Sequence, residues 1–276
     1  MHDLDTLTEL SLFSGTCAFT LGLRLAGVRA RTVCYVENEP FCQRLIEARI
    51  RDGYLDDAPL WDDVKTFDGH PWAGRVDIIT AGFPCQGWSA AGRHLGASDP
   101  RNLWPETARI IGETRPMLAL LENSPRILPY VFGTIQPELR ALGYDCSPPI
   151  LASALAAGAN HIRERWWTVA HSSSLHVWEQ RRRSAGKEGE SPLLVERIGT
   201  AGNADSDSDS QRFTRWSSLS SATRESGVIH AQGDRRWAFE PRVCGVSFGT
   251  PQRVERLRAL GNGIVPAVVA KFLREA

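Results

Sequence analysis

The sequence predicts an α/β fold: a mainly parallel sheet covered by helices on both faces. Three observations carry this expectation. Short apolar runs alternate with segments of helical character over the first 170 residues. The runs are continuous rather than alternating, as in strands buried on both faces. Gly, Glu or Pro punctuates the end of each run, the pattern of repeated βα units.

The elements follow in order. Leu10-Ser11-Leu12-Phe13 is a short strand stopped by Gly15, and residues 17–26 suit a helix with Gly27 as its stop. Residues 32–36 form a second strand ended by Glu37, and Pro40 opens a helix over 40–51. Residues 76–80 are a third strand. A helix over 103–114 is closed off by Pro116, and residues 117–121 form a fourth strand ending at Glu122-Asn123. Residues 133–142 are helical before Gly143, and 165–170 form another strand. Sheets of this class bind ligands at the carboxyl ends of their strands. Gly15, Glu37, Pro84-Cys85 and Glu122-Asn123 all fall just past strand ends, so one edge of the sheet collects four chemically loaded positions.

The pattern stops after residue 171. Residues 172–240 are rich in Ser, Arg, Gly and Gln, with the basic run Arg181-Arg182-Arg183 and a low-complexity Asp-Ser stretch at 204–210. This region reads as an appendage, a long insertion or a partly disordered segment. Its Asp-x-Asp-x-Asp spacing does not make a calcium loop, because Ser210 and Trp216 stand where Gly and Glu are needed. Regularity returns with a short helix opened by Pro251-Gln252-Arg253 and a final apolar helix over 265–273.

Composition bounds the function classes. The 276 residues carry no net charge, yet residues 1–159 hold 14 Lys and Arg against 19 Asp and Glu, while 160–258 hold 16 against 12. A basic segment on an acidic body suits a polyanion contact confined to one region. The six scattered cysteines contain no CxxC pair, which argues against a zinc site and a disulfide framework. No run is long and apolar enough for a membrane span, and the N-terminus lacks a signal-peptide pattern, so a cytoplasmic, nucleoid-associated protein is expected.

Cys85 stands out. Cys34, Cys42 and Cys146 read as small buried hydrophobes. Cys85 instead lies in a Pro-Cys-Gln turn after a strand, where a thiol is presented rather than packed. A thiol hydrolase would need a partner base, and only His94 lies close in sequence, on an expected mobile loop.

Four segments occur in order: GFPCQGWS at 82–89, Glu122-Asn123-Ser124, HIRER at 161–165, and GNGIVP at 261–266. Together they resemble the cytosine-C5 DNA methyltransferase family, over about 1–171 and 241–276. The resemblance implies a Rossmann-like sheet for S-adenosyl-L-methionine-dependent methyl transfer. It divides the chain into a catalytic domain at 1–171, a target-recognition region at 172–250, and a returning C-terminal segment at 251–276.

The resemblance also implies roles. Cys85 would add as a thiolate to carbon 6 of cytosine, making carbon 5 nucleophilic toward a sulfonium methyl. Glu122 would donate to the ring nitrogen N3, and Arg163 and Arg165, on one face of an extended segment, would supply fixed positive charge. Phe13 and Gly15 match the start of the cofactor turn. Glu37 suits the ribose hydroxyls, Asp63 the adenine amino group, and Pro84 and Asn262 complete the pocket. Gln86 and Ser89 would contact duplex DNA from which the target base is flipped, with Arg93 and Arg101 adding backbone contacts. Arg181–Arg183, Arg235, Arg236 and the aromatics Trp178, Phe213, Trp216 and Trp237 are candidates for gripping DNA. Cys17 and Ala18 depart from the family at glycine-favoured positions, Ser124 replaces Val, and His161 replaces Gln. An RNA cytosine-5 methyltransferase and a catalytically decayed DNA-binding relative remain the alternative readings. The expected assembly is a monomer with double-stranded DNA as partner, and a cognate restriction endonuclease as a further one.

Overall fold

The computed structural model describes residues 6–84, 99, 101–159, 161–173, 254–256, 259 and 263–275. Cys85, Gln86, Ser89, Arg93, Asn262 and the region 174–250 lie outside them. Among the described residues the sheet has eight strands. In chain order the elements begin with β1 (Leu7–Leu12), α1 (Ala18–Leu25), β2 (Ala30–Val36), α2 (Pro40–Arg51), β3 (Leu60–Trp61) and β4 (Ile78–Ala81). They continue with α3 (Trp104–Thr114), β5 (Leu118–Asn123), α4 (Leu128–Tyr130), α5 (Gln136–Ala141), β6 (Tyr144–Cys146), β7 (Ile150–Ser153), β8 (Glu164–Ser172) and α6 (Pro266–Glu275).

The strand order is β3-β2-β1-β4-β5-β8-β6, with β7 pairing β8 as well. The first five are parallel, and β8 runs antiparallel to β5. The chain crosses from β1 to β2 on one side and returns to β4 on the other side of β1. The gap above β1 and β4 is therefore the switch point of the sheet, where open α/β sheets bind ligands.

The two faces hold separate apolar layers. On one, Leu10, Leu12, Ile79, Ala81, Ala119 and Leu121 pack against Trp104, Ile110 and Ile111 of α3. On the other, Leu7, Ile78, Leu118, Leu120 and Trp167 meet Phe19 and Leu23 of α1 and Val268, Val269 and Phe272 of α6. The second layer is tight. A Cβ added to Gly22 would lie 2.3 Å from Val269 Cβ, so glycine is what lets α1 and α6 approach. Pro137 follows the π-turn at Val131–Ile135, which joins α4 to α5. Among the described residues no helix is long and apolar enough to cross a membrane.

Short elements are what the sequence did not announce. β3 has two residues, β6 three and β7 four, too few to show a period. Cys34 and Cys42 are buried as expected, whereas Cys146 is only partly so.

Candidate active site

The turn after β1 is built from alternating left-handed residues. Phe13 (φ 52°), Gly15 (φ 54°) and Cys17 (φ 56°) all have positive φ. Gly15 adopts this at no steric cost, whereas an L side chain there costs roughly 1–2 kcal/mol. Of the two departures from the family glycines, Cys17 therefore carries a backbone penalty. Ala18 is already the first residue of α1 and carries none. The turn is held by Ser14 N–H to Val36 O (3.1 Å), by Ser14 Oγ to Ser11 O (2.9 Å) and by Cys17 N–H to Ser14 O (2.7 Å).

Glu37, one residue past β2, closes the turn from the neighbouring strand. Its Oε2 accepts the Gly15 N–H at 2.6 Å and its Oε1 the Glu39 N–H at 2.7 Å. Burial nonetheless raises its pKa, against the lowering by those backbone donors. A cavity opens here, lined by Phe13, Gly15, Phe19, Glu37, Cys42, Gly82, Pro84, Glu122 and Ile264 among others. Phe13, Gly15, Glu37 and Pro84 thus meet in one cavity, and Glu122 reaches it too. Asp63 does not line it. Its carboxylate accepts the Lys65 N–H at 2.9 Å, closing a local turn after β3.

Glu122, which lines the cavity, belongs to a charged cluster with Arg165 and Arg163. Glu122 is the fifth residue of β5 and only 6% exposed. Arg165, at the start of β8, places Nε 3.0 Å from Glu122 Oε1. Burial pushes the Glu122 pKa up to about 7, while Arg165 and Arg163 pull it down. A carboxyl in that range exists in both protonation states near neutrality, as a proton donor at this pH must. Burial holds the Arg163 pKa below its ordinary value, and the Arg165 charge adds to this while Glu122 opposes it.

Asn123 has a role that its place in the Glu-Asn pair did not reveal. Its Nδ2 donates to Phe83 O at 2.8 Å and its Oδ1 accepts the Ser124 N–H at 2.7 Å. This joins the end of β5 to the segment immediately before Pro84 and Cys85, so the acid and the chain leading to the thiol are mutually positioned. The Arg101 guanidinium, half exposed, is paired with the buried Asp99, Nη2 to Oδ2 at 2.7 Å and Nε to Oδ1 at 2.9 Å.

A family model for C-5 cytosine-specific DNA methylase matches residues 7–228. The chain belongs to this family. Among its relatives, the type II methyltransferase M.CviJI of Paramecium bursaria Chlorella virus IL3A is 31% identical over 58% of this chain and 42% of its own. M.Eco47II of Escherichia coli is 32% identical over 62% of this chain and 41% of its own. M.HaeII of Haemophilus aegyptius is 27% identical over 87% and 73%. The chain therefore spans about half the length, or less, of several relatives it matches. Among solved structures, an E. coli prophage-encoded protein described as a DNA modification methyltransferase superposes with a TM-score of 0.50 at 27% identity, over 62% of this chain and 48% of the other. Spodoptera frugiperda DNMT2 shares the fold, with a TM-score of 0.50 at 19% identity, over 61% of this chain and 51% of the other. The fold of this C-5 cytosine methylase family member is the Rossmann-like methyltransferase sheet.

Proposed function

We propose that the chain transfers a methyl group from S-adenosyl-L-methionine to carbon 5 of a cytosine flipped out of duplex DNA. The observation that carries this is that Glu122, paired with Arg165, lines the same cavity as Glu37 and Pro84. A neutral-range acid, fixed cations and a nucleoside-type carboxylate meet at one sheet edge, and the next residue after Pro84 is a cysteine.

The cavity fits the cofactor. Glu37 offers a carboxylate for ribose hydroxyls, Gly15 allows close backbone approach, and Phe13 and Pro84 give apolar walls. Asn262 completes the binding set, and Asp63 would join it only by leaving its bond to the Lys65 N–H. When bound, the cofactor supplies an electrophilic methyl on a sulfonium.

The chain's own residues prepare the cytosine. The Cys85 thiolate forms a bond to carbon 6, and the electron pair of the 5,6 double bond becomes available at carbon 5. Glu122, protonated, donates to N3 and draws charge away from the ring. Arg163 and Arg165 stabilise negative charge on the base and the thiolate form of Cys85. Once carbon 5 carries the methyl group, its proton passes to water, and the freed C–H electron pair re-forms the 5,6 double bond as the cysteine leaves carbon 6 as a thiolate. Gln86 and Ser89 contact the opened duplex, and the region 172–250 reads the surrounding sequence. The type II names of the relatives support a cognate restriction endonuclease as a functional partner of a monomer that acts on DNA at the nucleoid.

Cys85→Ala is the deciding variant. It is expected to abolish methyl transfer and also covalent trapping on DNA containing 5-fluorocytosine. Turnover retained by a clean preparation of this variant overturns the mechanism.

A further inference from the structure

Beneath α1, where a sheet of this kind normally buries apolar side chains, lies a fully buried acid. Glu9 is 0% exposed in the middle of β1. Its Oε2 accepts from Thr20 Oγ1 at 2.9 Å and from Thr32 Oγ1 at 2.7 Å, and its Oε1 accepts from Thr80 Oγ1 at 2.8 Å. All three threonines are buried. They come from α1, β2 and β4, the three elements around β1. A bulge contributes, because the register steps from Glu9–Thr32 to Leu10–Cys34 and leaves Val33 as the extra residue. Among the described residues no basic side chain pairs with Glu9.

We propose that Glu9 is a positioning residue for the cofactor cavity, one carboxyl group fixing α1, β2 and β4 relative to β1 through three threonine hydroxyls. The inference rests on the cofactor reading of that cavity. Each anchored element carries a lining residue within five positions of its contact: Phe13 after Glu9, Phe19 beside Thr20, Glu37 after Thr32, and Gly82 after Thr80. An apolar side chain at position 9 would avoid the desolvation of a buried carboxyl. It would not define the spacing of four elements to hydrogen-bond precision, and the contacts of Glu37 with Gly15 depend on that spacing. Burial raises the pKa of Glu9, and the threonine bonds oppose this only in part. A glutamine keeps the shape and one acceptor oxygen, and its amide N–H groups can donate to threonine hydroxyls that rotate to accept.

The test measures S-adenosyl-L-methionine binding by calorimetry, thermal melting, and the separate KM values for cofactor and DNA, on the full chain. Glu9→Gln is expected to bind within about threefold of the unaltered protein. Glu9→Met, if folded, should bind the cofactor at least tenfold more weakly while the KM for DNA changes less than twofold. If Glu9→Met does not fold, Thr32→Val/Thr80→Val removes two of the three donors at nearly constant shape, and it should weaken cofactor binding in the same selective way. A folded Glu9→Met, or in its absence a folded double threonine variant, with unchanged cofactor affinity overturns the proposal. So does an equal loss of affinity for cofactor and DNA. Absence of binding by the unaltered protein overturns instead the cofactor reading itself.

Discussion

Arg165 Nε lies 3.0 Å from Glu122 Oε1, and Glu122 still has a pKa of about 7. An adjacent guanidinium normally pulls a carboxyl well below its usual range. Here the desolvation of a side chain at the end of β5 outweighs it. The pair is best understood as a buried acid tuned downward into the neutral range by a cation, rather than as a stabilising ion pair. Buried pairs contribute little net stability, because desolvation offsets the attraction.

The first prediction concerns pH. If protonated Glu122 donates to the base, activity falls as pH rises through about 7. Arg165→Met removes the nearer of the two lowering charges, so the alkaline limb should move upward by about one pH unit or more, even as the maximal rate drops. Glu122→Gln should lose roughly 10²–10⁴-fold in kcat and lose that limb. Stability follows the same sign. Burial favours the neutral carboxyl in the folded state, so the melting temperature should decline as pH rises from about 4.5 to about 7 and level off above, and less so in Glu122→Gln. Rate profiles with a fixed saturating DNA substrate read the first effect. A limb that stays in place in Arg165→Met shows that the cation does not tune this acid.

The second prediction separates the two duties of Glu37. Its oxygens accept the N–H groups of Gly15 and Glu39 at 2.6 Å and 2.7 Å. Glu37→Gln keeps one acceptor and faces the other N–H with an amide donor. Leaving that backbone group unmatched should cost about 1–3 kcal/mol of stability. It should also raise the KM for cofactor by at least tenfold, with little change in KM for DNA. Denaturant unfolding and steady-state kinetics measure the two losses. A stability loss without a change in cofactor KM would leave Glu37 as a brace for the turn alone.

Much of this arrangement is legible in the chain, for physical reasons that differ between residues. The strand ends bearing Gly15, Glu37, Pro84 and Glu122 are visible because continuous apolar runs stop there at Gly, Glu or Pro. That signal is local. The Glu9 cluster is not visible, since its partners lie 11, 23 and 71 residues away and a lone acid in a strand reads as a break in the pattern. For this reason the first strand reads as starting at Leu10, whereas β1 begins at Leu7. The bridge from Asn123 to Phe83 spans 40 residues and was equally hidden. Asp63 matches a motif by sequence but is turned to its own loop, a side-chain choice that no spacing encodes.

The last prediction tests whether space beside Glu122 is rationed. A Cβ built on Gly82 would lie 3.2 Å from Glu122 Oε2 and 3.0 Å from Ile264 Cδ1. Both contacts are tighter than ordinary packing, and Ile264 reaches this point from the C-terminal segment. Gly82→Ala should therefore displace one of the two. Displacing Ile264 would loosen the wall of the cavity, and displacing Glu122 would spoil its distance to Arg165. Either way kcat should fall by about tenfold or more, while the overpacking costs roughly 1–3 kcal/mol of stability. Adding Ile264→Val removes the Cδ1 atom and should restore stability in the double variant. If kcat returns as well, the glycine serves to admit Ile264. If stability returns without kcat, the glycine is there to leave Glu122 its position. A Gly82→Ala single variant with unaltered kcat and melting temperature would show that the neighbourhood yields freely, and that Glu122 is not held by close packing at this point.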